Sequence, residues 1–193
     1  MKRKYGWLLA LLVVAATATS AFAVETSRYL NVPNVQQEQT NWCWAGSSLS
    51  ILNYNRIYTG QCTFVSYVKT GTTSPETCSN LSASTTEAQK GLNYFGVSST
   101  YYDGALSFST TKTEIAYSRP IYVSIGWLDS NGNDVGGHAV VIDGYYEWTN
   151  VAYQEVTYMD PWDATHHSRD YDSFVYTAGD QRWRWGLRYV QHK

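Results

Sequence analysis

The sequence predicts an α+β fold, with an N-terminal helical half followed by a C-terminal antiparallel β-sheet. Apolar residues recur at helical spacing in the first part of the chain. After residue 118, β-branched and aromatic segments alternate with turn residues, as in antiparallel strands. Helices that precede strands, instead of alternating with them, are typical of this fold class. The chain has 193 residues, of which 44% are hydrophobic and 16% charged, a composition that argues against intrinsic disorder.

The first 23 residues have the pattern of a cleavable signal peptide. A basic n-region at Lys2, Arg3 and Lys4 precedes an apolar stretch, and Ala21-Phe22-Ala23 matches an A-x-A cleavage site. The apolar stretch is short for a membrane span of roughly 20 residues. We therefore expect one soluble domain, residues 24–193, that is secreted or periplasmic and has no stable membrane association.

Charge argues against a nucleic-acid partner. Cleavage would remove three of the fourteen basic groups and none of the sixteen acidic ones, which leaves a net charge of −5. No cluster of Lys and Arg lies in the rest of the chain, so the electrostatic footprint of a nucleic-acid-binding protein is absent from the sequence.

Three helices are predicted in the helical half, about residues 30–118. They begin near Cys43, at Thr85 or Thr86, and near Ser109 or Thr110. The first has small residues between its apolar positions, which predicts a buried helix. The segment Thr59–Thr85 is rich in Thr, Ser and Gly, and we expect a long loop there.

Four strands are predicted in the β half, about residues 119–193. They are Ile121–Leu128, His138–Trp148, Val151–Asp160 and Arg182–Val190. Asp129–Asp134 is predicted to be a polar hairpin turn, because it lacks the central glycine and the bidentate glutamate of a calcium loop. His166 and His167 are adjacent and would point in different directions on a strand, so no metal site is expected.

An odd number of cysteines indicates one free thiol in an exported chain. Cys62 and Cys78 share the polar loop, and a disulfide between them would stabilise the fold by roughly 3 kcal/mol. Cys43 is then unpaired, at the predicted start of a helix, where backbone N–H groups and the helix dipole favour a thiolate. This position favours a nucleophile over a small buried side chain.

His138 and Asp160 are the candidates to activate that thiol. His138 follows two glycines at the start of a strand, and Asp160 ends the next strand. A hairpin loop with an odd number of residues would place them directly opposite on one face, whereas an even loop would place them on opposite faces. On one face, Asp160 could orient the imidazole toward Cys43. Gln37 could donate its amide to an oxyanion alongside the Cys43 N–H.

Three blocks of the sequence together resemble the papain-like cysteine peptidases of clan CA. They are Gln37-Glu-Gln-Thr-Asn-Trp-Cys43-Trp44-Ala45, Gly136-Gly137-His138-Ala-Val-Val and Asp160-Pro-Trp162. The order and spacing are most similar to the compact bacterial branch, which includes secreted effector proteases and relatives of the bacteriocin-leader peptidases. The resemblance covers Leu30–Val190 and implies a papain-like fold, with the nucleophile helix packed against the sheet.

The resemblance also implies a role for each of these residues. Cys43 would be the nucleophile, His138 the general base and then acid, Asp160 the orienting residue, and Gln37 the oxyanion-hole side chain. Trp162 would shield the hydrogen bond between His138 and Asp160, while Trp44, Gly136 and Gly137 would border the substrate. No metal or other cofactor is implied. Gly46 and Ser47 replace the usual alanine-rich start of the helix, which we expect to lower helix propensity without affecting the chemistry.

The predicted function is that of a secreted cysteine endopeptidase that forms a thioester acyl-enzyme on Cys43, with a protein or peptide as substrate. Two alternatives use the same Cys43, His138 and Asp160. They are acyl transfer of the transglutaminase type and peptidoglycan amide hydrolysis. A third is an inactive papain-like module that binds peptides, which would not need Gln37, Cys43, His138 and Asp160 together.

Overall fold

A computed structural model describes residues 25–193. The predicted signal peptide, residues 1–23, lies outside the described residues. In residues 25–193, no helix is long and apolar enough to cross a membrane.

The described residues form helices mainly before residue 117 and a sheet built mainly from the residues that follow. The helices are α1 (Cys43–Tyr54), α2 (Gln61–Thr70), α3 (Thr85–Tyr94), α4 (Phe108–Ala116) and α5 (Tyr171–Val175), with a 3-10 turn at Pro75–Thr77. The strands are β1 (Glu25–Tyr29), β2 (Val97–Asp103), β3 (Ile121–Leu128), β4 (Asp134–Trp148), β5 (Tyr153–Asp160), β6 (Thr165–Asp170), β7 (Tyr176–Thr177) and β8 (Gln181–His192).

The strands pair in the order β2-β8-β3-β4-β5-β6, and all of these pairs are antiparallel. Strand β4 is the longest, and its two ends have different partners. Its first half pairs with β3, whereas its second half lies between β1 and β5. This long central strand carries His138 in its first half and connects directly to β5, which ends at Asp160.

Helix α1 is the central helix of the core and packs against β4. Every residue from Trp44 to Leu52 is buried, including three serines. Each serine hydroxyl donates to a backbone carbonyl: Ser47 to Ala139, Ser48 to Trp44, and Ser50 to Pro33. Because their hydroxyls are satisfied, small polar residues are tolerated in a helix with no solvent face.

The structure confirms the predicted α+β class and extends the element list. Helix α1 begins at Cys43, and the Asp129–Asp134 segment forms the turn between β3 and β4. The predicted loop Thr59–Thr85 was wrong in part, because it contains α2. Phe64, Val65 and Val68 form the buried face of that helix, a pattern hidden by the polar residues around them.

Two helix starts differ from the prediction, and four strands and one further helix were not predicted. Helix α3 is capped by Ser84 instead of Thr85 or Thr86, because Ser84 and Glu87 form a capping box. Helix α4 begins at Phe108, since the Ser107 side chain caps it. Helix α5 and strands β1, β2, β6 and β7 were not predicted. Since β2 pairs with β8, the helical half contributes an edge strand to the sheet.

Candidate active site

Cys43 is the first residue of α1 and the free cysteine among the described residues. No side chain caps this helix end, so its first backbone N–H groups remain available to a ligand. The tryptophans on either side fix the helix start, because the indole N–H of Trp42 donates to Ser79 O at 3.1 Å and that of Trp44 donates to Leu81 O at 3.0 Å. The thiol therefore sits on a rigid support at the positive end of a helix.

Gly46 and Ser47 join this helix to the strands that carry the other candidates. The Ser47 hydroxyl donates to Ala139 O at 2.9 Å, and Ala139 directly follows His138. A Cβ on Gly46 would lie 2.7 Å from Pro161 Cβ, so only glycine allows Pro161, which follows Asp160, to approach α1. In addition to any effect on helix propensity, these two residues therefore position α1 against the strands that carry His138 and Asp160.

His138 and Asp160 are joined by a hydrogen bond. The distance from His138 Nε2 to Asp160 Oδ1 is 2.7 Å, and the same oxygen accepts the Trp162 backbone N–H at 2.8 Å. With Nε2 engaged, Nδ1 is the ring nitrogen left for the hydrogen bond with the Cys43 side chain. The structure thus brings together Cys43, His138 and Asp160 in the predicted order.

A β-bulge puts His138 and Asp160 on the same face of the sheet. The hairpin loop between Trp148 and Tyr153 has four residues, an even number. An even loop alone would place His138 and Asp160 on opposite faces of the sheet. This does not happen, because Asp143 is an extra residue in β4 and shifts the pairing by one residue. Beyond the bulge, Val141 pairs with Met159, so the register continues to place Asp160 opposite Val140, two residues from His138.

The electrostatics of this pair keep a proton on the imidazole. Burial lowers the pKa of His138, but the hydrogen bonds with Asp160 and Cys43 and their negative charges raise it more, to about 9. At neutral pH, His138 is therefore an imidazolium between a carboxylate and a sulfur. This charge state is suited to activating a thiol and later to protonating a leaving group.

The ring that stacks on His138 is Trp127, which the sequence analysis did not single out. The ring centroids are 5.8 Å apart, and the planes differ by 16°. Gly136 makes room for this indole, since a Cβ there would lie 2.8 Å from a Trp127 ring atom. Trp162, the predicted shield, is 61% exposed and borders a groove beside Gln37–Thr40.

Gln37 lies next to the site, but its amide is engaged. Its backbone N–H donates to Pro161 O at 2.8 Å, which places it beside the strand end that carries Asp160. Its side-chain Nε2 donates to Gln39 O at 2.9 Å and to Thr40 O at 3.0 Å. Both amide hydrogens are thus used within the loop that leads to α1.

A cleft of about 350 Å³ opens beside Cys43 and His138. Trp44, Gly136 and Gly137 all line it, as does the segment Ser82–Thr86 before and at the start of α3. Tyr122 is also a lining residue, and burial together with the nearby Cys43 raises the pKa of its hydroxyl well above its usual range. The hydroxyl therefore stays neutral next to the thiol.

Other groups considered from the sequence are engaged elsewhere. His166 hydrogen-bonds Asp143, and His167 hydrogen-bonds Asp163 at 2.8 Å. Among residues 25–193, no group of three or more His, Cys, Asp or Glu is arranged to hold a metal ion. Cys62 and Cys78 form a disulfide, which links α2 to the end of the 3-10 turn.

Sequence comparison identifies the family. The model of the Peptidase_C39 like family matches residues 29–187. The chain belongs to the Peptidase_C39 like family. It is therefore a papain-like cysteine peptidase, as the three sequence blocks predicted. No curated protein matches the chain at a significant level.

Solved structures show that this C39-like chain has a papain-like fold. One neighbour is a double glycine motif protease from an AMS/PCAT transporter, solved in complex with the leader peptide. It is 15% identical, with a TM-score of 0.51 over 81% of this chain and 94% of that one. Another is UfSP from C. elegans, 12% identical, with a TM-score of 0.55 over 92% of this chain and 36% of that one. The C39-like chain thus spans about a third of UfSP.

Proposed function

We propose that this protein is an exported cysteine endopeptidase that hydrolyses peptide bonds through an acyl-enzyme on Cys43. The observation that carries the proposal is the connected set of Cys43, His138 and Asp160 at one end of an open cleft. The double glycine motif protease was solved with a peptide bound, which supports a peptide as the substrate class. Export rests on the signal-peptide pattern of residues 1–23.

The reaction begins with the proton on His138 and Cys43 as the thiolate. The sulfur attacks the carbonyl carbon of the scissile bond, which forms a C–S bond and moves an electron pair onto the carbonyl oxygen. When the tetrahedral intermediate collapses, the C–N bond breaks and His138 gives its proton to the departing amine. A water then gives a proton to His138 and attacks the thioester, which releases the carboxylic acid and restores the thiolate–imidazolium pair.

The oxyanion would be held at the start of α1. The Cys43 N–H lacks a partner within the helix and lies beside the attacked carbon, so it is the first donor. The Gln37 amide is the second. Its Nε2 donates to the carbonyls of Gln39 and Thr40, so one of these two hydrogen bonds must open before Gln37 can donate to the oxyanion.

The test is an intact mass of the mature protein after reaction with a peptidyl-epoxide thiol probe. We expect one adduct on the wild type, none on Cys43→Ala, and slower formation on His138→Ala. His167→Ala is the matched control, since His167 pairs with a carboxylate outside the cleft. Equal labelling of Cys43→Ala, or a free but unreactive Cys43 in the wild type, would contradict the proposal. Release of muropeptides or incorporation of amines, without peptide cleavage, would favour amide hydrolysis or acyl transfer.

A further inference from the structure

The cleft contains one charged side chain that the proposed mechanism does not use. Arg184 is the sole lining residue with a permanent charge among the described residues that form the cleft. The others, apart from Cys43 and His138, are glycines, apolar or aromatic side chains, and hydroxyl groups. The Arg184 side chain is 25% exposed, so it is partly withdrawn from water while its charge remains accessible from the cleft.

A β-bulge aims Arg184 at this position. Ser124 of β3 pairs with Trp185, and Ile125 pairs with Trp183, so Arg184 is the extra residue of β8. Bulges next to active sites commonly redirect a side chain. The arginine stem crosses Gly126, where any Cβ would collide with Arg184 Cδ. The guanidinium carbon lies 3.8 Å from the centroid of the Trp185 ring, which fixes its orientation.

The local charges do not cancel. Arg182 Nη2 lies 2.5 Å from Asp134 Oδ2, whereas Arg184 Nη2 is 3.6 Å from the same oxygen. Two guanidinium groups thus share one carboxylate, and one positive charge remains. Asp103, which pairs with Trp185 across the strands, accepts a hydrogen bond from the Tyr101 hydroxyl and does not line the cleft.

We propose that Arg184 is a specificity-determining residue that binds a carboxylate side chain of the substrate. The guanidinium offers a planar fork of N–H donors, which matches an Asp or Glu carboxylate. Strand β8 lies two strands from β4, roughly 10 Å from the backbone at His138. An extended peptide covers that distance in about three residues. The substrate class is therefore peptides with an acidic residue within about three positions of the cleaved bond. This inference rests on the proposed function.

The test compares matched probes that differ only in Glu or Gln at one position. Amidated peptidyl vinyl sulfones vary each of the three positions on the N-terminal side of the reactive carbon, and amidated, internally quenched peptides vary the three positions after the bond. The amide ends leave the Glu side chain as the one carboxylate that differs. At one position we expect Glu to react about tenfold faster than Gln in the wild type, and this preference to disappear in Arg184→Gln.

Two further variants separate recognition from folding. Arg184→Glu should reverse the preference, so that a Lys probe reacts faster than a Glu probe. Arg188→Gln is the matched control and should keep the Glu preference. Arg188 lies on the same strand and stacks on the following aromatic residue, Tyr189, but it borders a different groove.

The outcomes distinguish this inference from the proposed function. If Glu and Gln probes modify Cys43 of the wild type at equal rates, and Glu and Gln peptides are cleaved at equal rates, at every position, the inference is overturned and the peptidase proposal stands. A Glu preference that survives in Arg184→Gln overturns it as well. If no probe modifies Cys43 and no peptide is cleaved, the proposed function fails, and the inference fails with it.

Discussion

His138 is held by three different kinds of contact. Asp160 accepts a hydrogen bond from one ring nitrogen, Trp127 stacks on the ring face, and Cys43 interacts with the remaining nitrogen. The carboxylate fixes the direction of the ring, and the indole prevents it from turning. The imidazole is therefore positioned toward the sulfur before any substrate binds.

The charge of His138 is expected to depend on Asp160. The pKa of His138 is raised to about 9, with the Asp160 hydrogen bond as the largest raising cause. Stability from these contacts is thus fully present below the unfolded value of about 6.5 and is lost as the pH rises through 9. An NMR titration, with the His138 signal assigned from its loss in His138→Asn, should show a lower pKa in Asp160→Asn. In a pH profile of peptide hydrolysis, the fall in activity on the alkaline side should move to a correspondingly lower pH.

Asp163→Asn is the control for that titration, because Asp163 lies three residues after Asp160 but pairs with a different histidine, His167. It should leave the His138 titration unchanged. An Asp160→Asn variant with the wild-type pKa would show that Asp160 does not hold the proton on the imidazole.

At the scale of elements, single extra residues in strands determine which side chains face the cleft. Val135, Asp143 and Arg184 are each unpaired in an otherwise regular ladder. Because Val135 is the extra residue, Trp127 pairs with Gly136, and this pairing puts the indole diagonally across from His138. Without this bulge, counting back from the turn would pair Trp127 with Val135 and place the indole and the imidazole on opposite faces.

The bulges explain what the sequence could and could not predict. Cys43, His138 and Asp160 were found because a free thiol, a helix start and two strand ends can be recognised from local patterns. Trp127 and Arg184 were missed because their direction depends on register, and a bulge leaves no local pattern of its own. Helix α2 was missed because polar residues surround its three buried apolar residues, Phe64, Val65 and Val68. The long apolar strands were predicted, whereas the polar β6 was not.

We expect the side-chain carboxylate of Asp143 to stabilise the bulge at that residue. This side chain is buried, and it accepts hydrogen bonds from Thr157 at 2.6 Å and from His166. In Asp143→Ala, the loss of these partners should cost about 1–3 kcal/mol in the free energy of unfolding. It should also slow the labelling of Cys43, because the register that aligns His138 with Asp160 is less well fixed. Urea unfolding and probe kinetics measure the two effects.

The control removes an equivalent but exposed pair. Asp163→Ala deletes the carboxylate that binds His167, and both of those side chains are at least 40% exposed. Its effect on stability should stay within about 0.5 kcal/mol. Equal losses in the two variants would contradict a special role for the buried carboxylate.

At the scale of the whole molecule, the disulfide and Cys43 belong to one connected unit. Cys78 is followed directly by Ser79, whose carbonyl binds the Trp42 indole, and by Leu81, whose carbonyl binds Trp44. The next residues, Ser82–Thr86, form one wall of the cleft. The bond from Cys62 to Cys78 therefore fixes a segment that supports both the helix start and the substrate site.

Removal of the disulfide should weaken both the start of α1 and the wall of the cleft. Its two cysteines have a sequence separation of 16, and closure of a loop of that length is worth about 3 kcal/mol. A Cys62→Ser, Cys78→Ser double variant should lose about that much free energy of unfolding in a denaturant titration. Cys43→Ser, which leaves the disulfide intact, is the control and should unfold near the wild-type midpoint. A double variant as stable as the wild type would show that the segment is held by its other contacts alone.

The extra residue at Asp143 also bears on how mutations in this gene should be interpreted. Loss of that one codon in frame would leave Cys43, the histidine and the aspartate in the same order along the chain, and a search for the three blocks would still find them. The side chains of His138 and Asp160 would nevertheless emerge on opposite faces of the sheet. A homologue with all three of these residues present can thus be a pseudoenzyme, and the count of residues between the histidine and the aspartate is the feature that reveals it.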